Sequence, residues 1–262
     1  AWIEARRRAR GRWLLVGLNG GQGSGKSTLA ALARDALATV FGVRALVLSL
    51  DDLYLTRTER AALGRDVHPL LATRGVPGTH DLALGRTVLD ALLGEGEDAG
   101  PGAAATVAVP RFDKASDDRR VEAAIVAAPV DVVLLEGWCV GATAQAPEAL
   151  REPLNALEAG EDPDGRWRTF VNEALAGPYA DFFARLDGLV MLRVPDFEAV
   201  RRWRREQEAR LRATAGGGMD DAAVDRFVAH YERVTRHELA VLPARADLRL
   251  DLDAEHAIVR VR

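Results

Sequence analysis

The stretch GLNGGQGSGKST, Gly17 to Thr28, decides how the rest of the chain reads. It carries the spacing Gly20-x-x-x-x-Gly25-Lys26-Ser27. Glycines at such positions let successive backbone N–H groups converge on phosphate oxygens with no Cβ in the way. A helix opening at Lys26 would aim its positive N-terminal end at the same point. The Lys26 ammonium is then placed to reach the β- and γ-phosphates of a nucleotide, and the Ser27 hydroxyl to hold Mg²⁺. Gly20, Gly21, Gln22, Gly23, Ser24, Gly25, Lys26, Ser27 and Thr28 are the expected cradle, with ATP and Mg²⁺ as cofactors.

The flanks supply the context this motif needs. RWLLVGL, 12–18, is an apolar run that reads as a buried strand. Leu29, Leu32, Ala33, Ala36, Leu37 and Val40 follow at helical spacing, and Gly42 ends the helix. Leu18-Asn19-Gly20-Gly21-Gln22 is close to the signature by which transporter ATPases clamp a neighbour's nucleotide. That signature lies far downstream of the phosphate loop and opens its own helix, whereas here it lies inside the loop. An Asn-Lys-x-Asp guanine-reading motif is absent from the sequence, so a GTPase is not supported.

Bulk properties narrow the class further. The chain has 262 residues, 48% of them hydrophobic, enough for an ample core. A formal charge of -4 argues against a general nucleic-acid binder. Nearly all the basic residues are arginine, with Lys26 and Lys114 the only lysines, so most arginines carry no message and Lys26 stands out. The run Arg6 to Arg10 reads as a solvated helix face. One cysteine, Cys139, excludes an intramolecular disulfide and points to a reducing, cytoplasmic setting. The sequence has no apolar run of about 18 residues, so no membrane span is expected, and AWIEARRRARGRW has no secretory apolar core.

Further apolar runs read as strands at 44–50, 106–110, 130–137, 188–194 and 245–253, the last followed by AIVRV. Helices are expected over 81–93, about 196–214 and about 219–240, with a surface turn over 94–105. Near-continuous apolar strands alternating with helices imply a parallel sheet covered on both faces. The expected fold is α/β: a three-layer P-loop NTPase architecture with a central parallel sheet, helices on both faces and a helical lid. Residues 1–262 are expected to form a single domain, with a helix-rich elaboration about 141–187 and the lid about 196–218.

In an open parallel sheet, ligands sit at the carboxyl ends of the strands. The second strand ends in Ser49-Leu50-Asp51-Asp52-Leu53-Tyr54, so both carboxylates should face the mouth of the loop. A kinase needs a carboxylate beside the acceptor hydroxyl, to orient it and take its proton. The plainer reading, a pair of acidic helix caps, stays open for Asp52 above all.

Ser-x-Asp-x-Leu-Tyr resembles the acceptor-site motif of the phosphoribulokinase, uridine kinase and pantothenate kinase group of P-loop kinases. The resemblance implies that Asp51 is the general base. It also implies that Glu136, in LLEGW, serves Mg²⁺ at the end of a core strand, with Asp51 and Ser27 as its other candidate partners. A narrower resemblance spans SLDDLYLT (49–56), HPLLATRGVPGTHDL (68–82), VPRFDKASDDR (109–119), LLEGWCVG (134–141), WRREQEARLR (203–212) and FVAHYERVTRHEL (227–239). Together these are similar to the D-glycerate 3-kinases of plants, fungi and cyanobacteria, and imply a small hydroxylated acid as substrate. Glycerate needs a cation for its carboxylate and acceptors for its hydroxyls. Asp52, Tyr54, Arg74, His80, Asp81, Arg111, Phe112, Asp113, Lys114 and Arg119 are the candidates, with surface ion pairing the bland alternative for any one of them. His230 and His237 lack metal-ligand spacing and read as structural.

Val200-Arg201-Arg202-Trp203-Arg204-Arg205-Glu206 resembles the lid helix of the same kinase group. Carried over by position, Arg202 and Arg205 would face the phosphates. Arg201 and Arg204 read as a solvated face. Gly216-Gly217-Gly218 could hinge the helix, and closure would exclude water. The candidate wall for adenine lies about 253–258, with no single residue assigned.

Overall fold

The computed structural model describes residues 1–95, 105–215 and 218–262. Residues 96–104 of the expected surface turn and 216–217 of the expected hinge lie outside them. In chain order the elements are α1 (Trp2–Arg10), β1 (Leu14–Gly20), α2 (Lys26–Phe41), β2 (Ala45–Ser49), α3 (Arg57–Asp66) and α4 (Leu82–Leu93). Next come β3 (Ala105–Val109), β4 (Phe112–Asp113), β5 (Asp118–Arg119), β6 (Ala124–Ala128) and β7 (Val132–Gly137). The helices α5 (Ala156–Glu161), α6 (Arg166–Ala174) and α7 (Ala180–Phe183) precede β8 (Gly188–Arg193). Then follow α8 (Phe197–Ala215), α9 (Asp221–Val241), β9 (Leu248–Leu252) and β10 (Ile258–Val261).

Six strands form the main sheet in the order β10-β9-β8-β1-β7-β2. β2, β7, β1, β8 and β9 run parallel, and β10 closes the edge antiparallel to β9. β1 and β7 are buried along their whole length, which is why they read as unbroken apolar runs. Helices cover both faces, and the apolar residues pack in two clusters. One includes Leu15, Leu48 and Leu135, the other Leu14, Val16 and Leu134. Alternate residues of one strand point to opposite faces, so β1, β7 and β8 feed both clusters.

The strand over 106–110 is β3, but it pairs antiparallel with β6 in a separate two-stranded sheet. No described helix is long and apolar enough to cross a membrane. The arginine run at the start does more than face solvent. Arg10 pairs with the buried Asp187 at 2.6 Å, and Arg6 with Asp247 at 2.9 Å, so these side chains hold α1 against the entries of β8 and β9.

The helix-rich segment between β7 and β8 packs against α9 and the turn at Gly78. Buried Glu158 on α5 takes two bonds from Arg233 of α9, at 2.7 and 2.5 Å. The ring of Phe170 on α6 packs against Gly78, and the Tyr179 hydroxyl accepts from the Gly78 N–H at 3.0 Å.

Candidate active site

The carboxyl ends of β1, β2 and β7 open into one cavity of about 420 Å³. That volume lies within the usual range for small-molecule sites. On one side is the loop between β1 and α2. Gln22, Gly23, Gly25, Lys26, Ser27 and Thr28 line the cavity, while Gly20, Gly21 and Ser24 shape the turn behind them. Gly23 has φ +80°, a backbone conformation that favours glycine, and a Cβ there would lie 2.9 Å from Cβ of Trp203 on α8.

Ser27 Oγ donates to Glu136 Oε1 at 3.0 Å. Glu136 is 5% exposed, and its other oxygen, Oε2, has no partner among the described residues. Gln22 Oε1 and Ser24 Oγ are likewise buried and unpartnered. Buried acceptors without donors are unusual and call for an explanation. A hard cation takes oxygen ligands, and a Ser hydroxyl beside an unsatisfied carboxylate is a donor set that fits one.

The two neighbouring carboxylates part company. Asp51 lines the cavity; it accepts from Tyr54 Oη at 2.9 Å and from Lys114 Nζ at 2.6 Å. Burial pushes its carboxyl up. The charges of Lys114 and Lys26, with hydrogen bonds from Lys114 and Tyr54, outweigh that and bring it to about 2. Burial and the charge of Asp51 hold the Tyr54 phenol well above its ordinary range, so it stays a neutral donor. Asp52 turns the other way. It pairs with Arg111 at 2.6 Å and accepts from the Phe112 N–H at 3.0 Å. Asp52 and Arg111 therefore fasten the β3–β4 segment to the end of β2, and neither lines the cavity.

The remaining acceptor candidates divide in the same manner. Arg74 and Lys114 line the cavity. Arg74 is held by Asp117, which also pairs with the fully buried Arg60 at 3.0 Å. Phe112 is buried, edge-on to Tyr54 with ring centroids 5.1 Å apart, and forms a wall behind the site. His80 does not reach the cavity. It is 6% exposed, stacks on Tyr54 at 4.5 Å and contacts Tyr179 Oη at 2.5 Å. Burial pulls it down to about 4 against the charge of Asp51, so its imidazole is neutral near pH 7. Asp81 caps α4 through the Leu84 N–H at 2.9 Å and pairs with Arg119 at 3.3 Å. Arg119 also donates to the Tyr54 carbonyl at 2.9 Å. Asp113 accepts from its own turn, from the Ala115 N–H and Ser116 Oγ, and faces away. Thus Asp81, Arg119, Asp52 and Arg111 shape the site and His80 backs Tyr54, while Asp51, Tyr54, Arg74 and Lys114 face it.

α8 crosses the mouth, but not in the expected phase. Trp203, Arg204, Glu206, Gln207 and Arg210 line the cavity. Arg202 donates to the Ala254 carbonyl at 3.2 Å, and Arg205 pairs with Asp225 of α9 at 2.6 Å. The structure therefore does not bring Arg202 and Arg205 into the cavity. The reason is helical phase: Arg204, Gln207 and Arg210, three residues apart, share a face. Trp203 also packs against the phosphate loop at Gly23, and Val200, one turn back, packs at Gly21. His256, in the turn between β9 and β10, stacks on Trp203 at 3.9 Å and contacts the Gly23 carbonyl at 3.0 Å. This turn lies in the stretch expected to wall the base. Trp138, Phe227 and Tyr231 also line the cavity. None was nominated by sequence. Phe227 and Tyr231 sit at i and i+4 in α9 and read there as ordinary core positions.

No family model matches the chain. It is 34% identical over 246 residues to the uncharacterized kinase mug58 of Schizosaccharomyces pombe, covering 88% of this chain and 82% of that protein. It is 30% identical over 259 residues to the chloroplastic D-glycerate 3-kinase of Arabidopsis thaliana, covering 92% of this chain but 53% of that protein, so it spans about half its length. Among solved structures, D-glycerate 3-kinase from Cryptococcus neoformans matches with a TM-score of 0.80 and 29% identity, across 100% of this chain and 96% of that one.

Proposed function

We propose that this chain, which belongs to the D-glycerate 3-kinase family of P-loop kinases, transfers the γ-phosphoryl group of Mg-ATP to a hydroxyl of D-glycerate, giving 3-phosphoglycerate and ADP. The observation that carries this reading is a single cavity with two chemically distinct sides. One side is the phosphate cradle with Lys26 and the Ser27–Glu136 pair. The other is Asp51 beside Arg74 and Lys114.

Ser27 and Glu136 would hold Mg²⁺, whose charge, when bound, neutralises the phosphate oxygens. Lys26 reaches the β- and γ-phosphates from the start of α2. Arg74 and Lys114 pair with the acceptor carboxylate. Asp51 accepts the hydrogen bond of the attacking hydroxyl and then its proton. With its pKa near 2, Asp51 is a weak base while Lys114 is bonded to it. That suits a loose transition state, in which the hydroxyl proton leaves late and orientation matters more than base strength. Arg204 and Arg210 on α8 bring positive charge to the transferring group from above. The single cysteine, buried Cys139, suits the reducing cytoplasm in which we place the protein.

The test is a coupled ADP-release assay with D-glycerate, uridine, pantothenate and a sugar phosphate as separate acceptors, with product position assigned by phosphorus NMR. Glycerate-dependent ADP release is expected. Release with another acceptor and none with glycerate overturns the substrate. ATP binding with no acceptor-stimulated release overturns the reaction.

A further inference from the structure

One helix, α9, touches both sides of the cavity. Tyr231 lies 3% exposed near its middle, and its hydroxyl donates to the Arg74 carbonyl at 3.2 Å. The next carbonyl, of Gly75, accepts from Trp138 Nε1 at 2.9 Å. The two rings meet edge-on, with centroids 4.9 Å apart. Two buried aromatic side chains thus take two successive carbonyls of the turn that presents Arg74. Gly75 has φ +131°, and a Cβ there would lie 2.1 Å from Tyr231 Oη, so the turn can approach α9 this closely only as glycine.

On its other side the Tyr231 ring packs against Phe227 at 4.9 Å. The guanidinium of Arg204, on α8, lies over the Phe227 ring at 4.8 Å, and Glu208 and Gln207 hold it there at 2.5 and 2.9 Å. Contact is therefore continuous from Arg204, through Phe227 and Tyr231, to the Arg74 turn. Further along α9, Glu238 accepts from Asn19 Nδ2 at 2.8 Å, which anchors the helix to β1 just before the phosphate loop. Phe227, Tyr231 and Glu238 are spaced by four and seven residues and so share a face.

We propose that Tyr231 is a positioning residue for the acceptor side, holding the Arg74 turn in register, and that the Phe227–Tyr231 pair ties that turn to Arg204 on α8. This rests on the reading of the Asp51 side as the acceptor site of a kinase. Tyr231→Phe removes one hydroxyl and leaves the ring packing. It should raise KM for the acceptor about fivefold, the worth of one neutral hydrogen bond. kcat and KM for ATP should stay within about twofold of wild type. Phe227→Leu removes the aromatic face under Arg204 and should lower kcat about threefold, the order of an exposed cation–π contact. In the double variant, the effects on kcat/KM should deviate from additivity, as contacting residues do.

An unchanged acceptor KM in Tyr231→Phe overturns the positioning role. So does a parallel rise in KM for both substrates with a lowered melting temperature, which would mark a structural part only. Additive effects overturn the tie to Arg204. If glycerate supports no ADP release in the wild type, the substrate reading falls. The same KM split is then read on the acceptor that the screen identifies.

Discussion

The two sides of the cavity that we propose as donor and acceptor sides face each other but are built by different means. The donor side is one contiguous stretch, residues 20–28, plus Glu136 from the neighbouring strand β7. Its geometry is backbone geometry: a strand end, a tight loop and a helix start. The acceptor side is gathered from the end of β2, the Arg74 turn, the β3–β4 segment and α9. Ion pairs brace it: Asp52–Arg111, Asp81–Arg119 and the Asp117 bridge to Arg60 and Arg74. A backbone cradle depends on a few glycines and one lysine. A side-chain cradle depends on many partners, each of which removes a charged group from the list of those free to meet substrate.

The contrast can be tested from its strongest consequence downward. Asp51→Asn should lower kcat on the order of 10²- to 10⁴-fold, the usual range for a positioned acid–base group. ATP affinity, measured by calorimetry, should stay nearly the same, because the donor side is intact. A matching loss of ATP binding would show that the two sides are not separable. Lys26→Ala should do the complementary thing. Both ATP affinity and kcat should fall, kcat by roughly 10²- to 10³-fold as for removal of one transition-state donor. Its acceptor KM should hold near wild type in steady-state assays.

His80 offers a third comparison, because it stacks behind Tyr54 without lining the cavity. Its folded-state pKa, about 4, lies below the ordinary 6.5. The unfolded chain therefore binds the proton more readily, and stability falls as pH drops from 6.5 toward 4. At about 1.4 kcal/mol per unit, the loss amounts to at most about 3 kcal/mol. Thermal melting between pH 4 and 7 should show a slope that is shallower in His80→Gln; equal slopes would place the titration elsewhere. The smallest effect belongs to Asp113→Ala. Among the described residues its carboxylate bonds only within its own turn. Stability should change by no more than about 0.5 kcal/mol, and acceptor KM should not move. A clear rise in that KM would return Asp113 to the site.

Legibility followed the same division. β1 and β7 were readable because strands buried on both faces leave unbroken apolar runs. β6 was not, because AIVAA alternates in exposure and its partner, β3, lies outside the main sheet. As adjacent letters Asp51 and Asp52 differ only by the motif resemblance; Arg111, 59 residues on from Asp52, separates them physically by claiming one. The arginines of α8 show the limit of carrying a motif over by position. The phase of α8 puts Arg204 and Arg210 on the cavity side and leaves Arg205 to Asp225. Trp138, Phe227 and Tyr231 lie in segments of family resemblance, but the sequence assigns them no role, since their work lies in which carbonyl or cation they meet.

By itself, the sequence determined the phosphate cradle, the parallel sheet that presents it and the family of kinases to which the chain belongs. The first two reside in local backbone conformation and in the period of apolar residues, both written in consecutive letters, and the family rests on the resemblance of separate segments spread along the chain. Only the tertiary structure decided that Asp51 lines the cavity and Asp52 does not, that Arg204 and Arg210 line it in place of Arg202 and Arg205, and which buried side chains hold the Arg74 turn. Those depend on pairings between groups far apart in the chain, and a charged side chain shows its role only once its partner is in place.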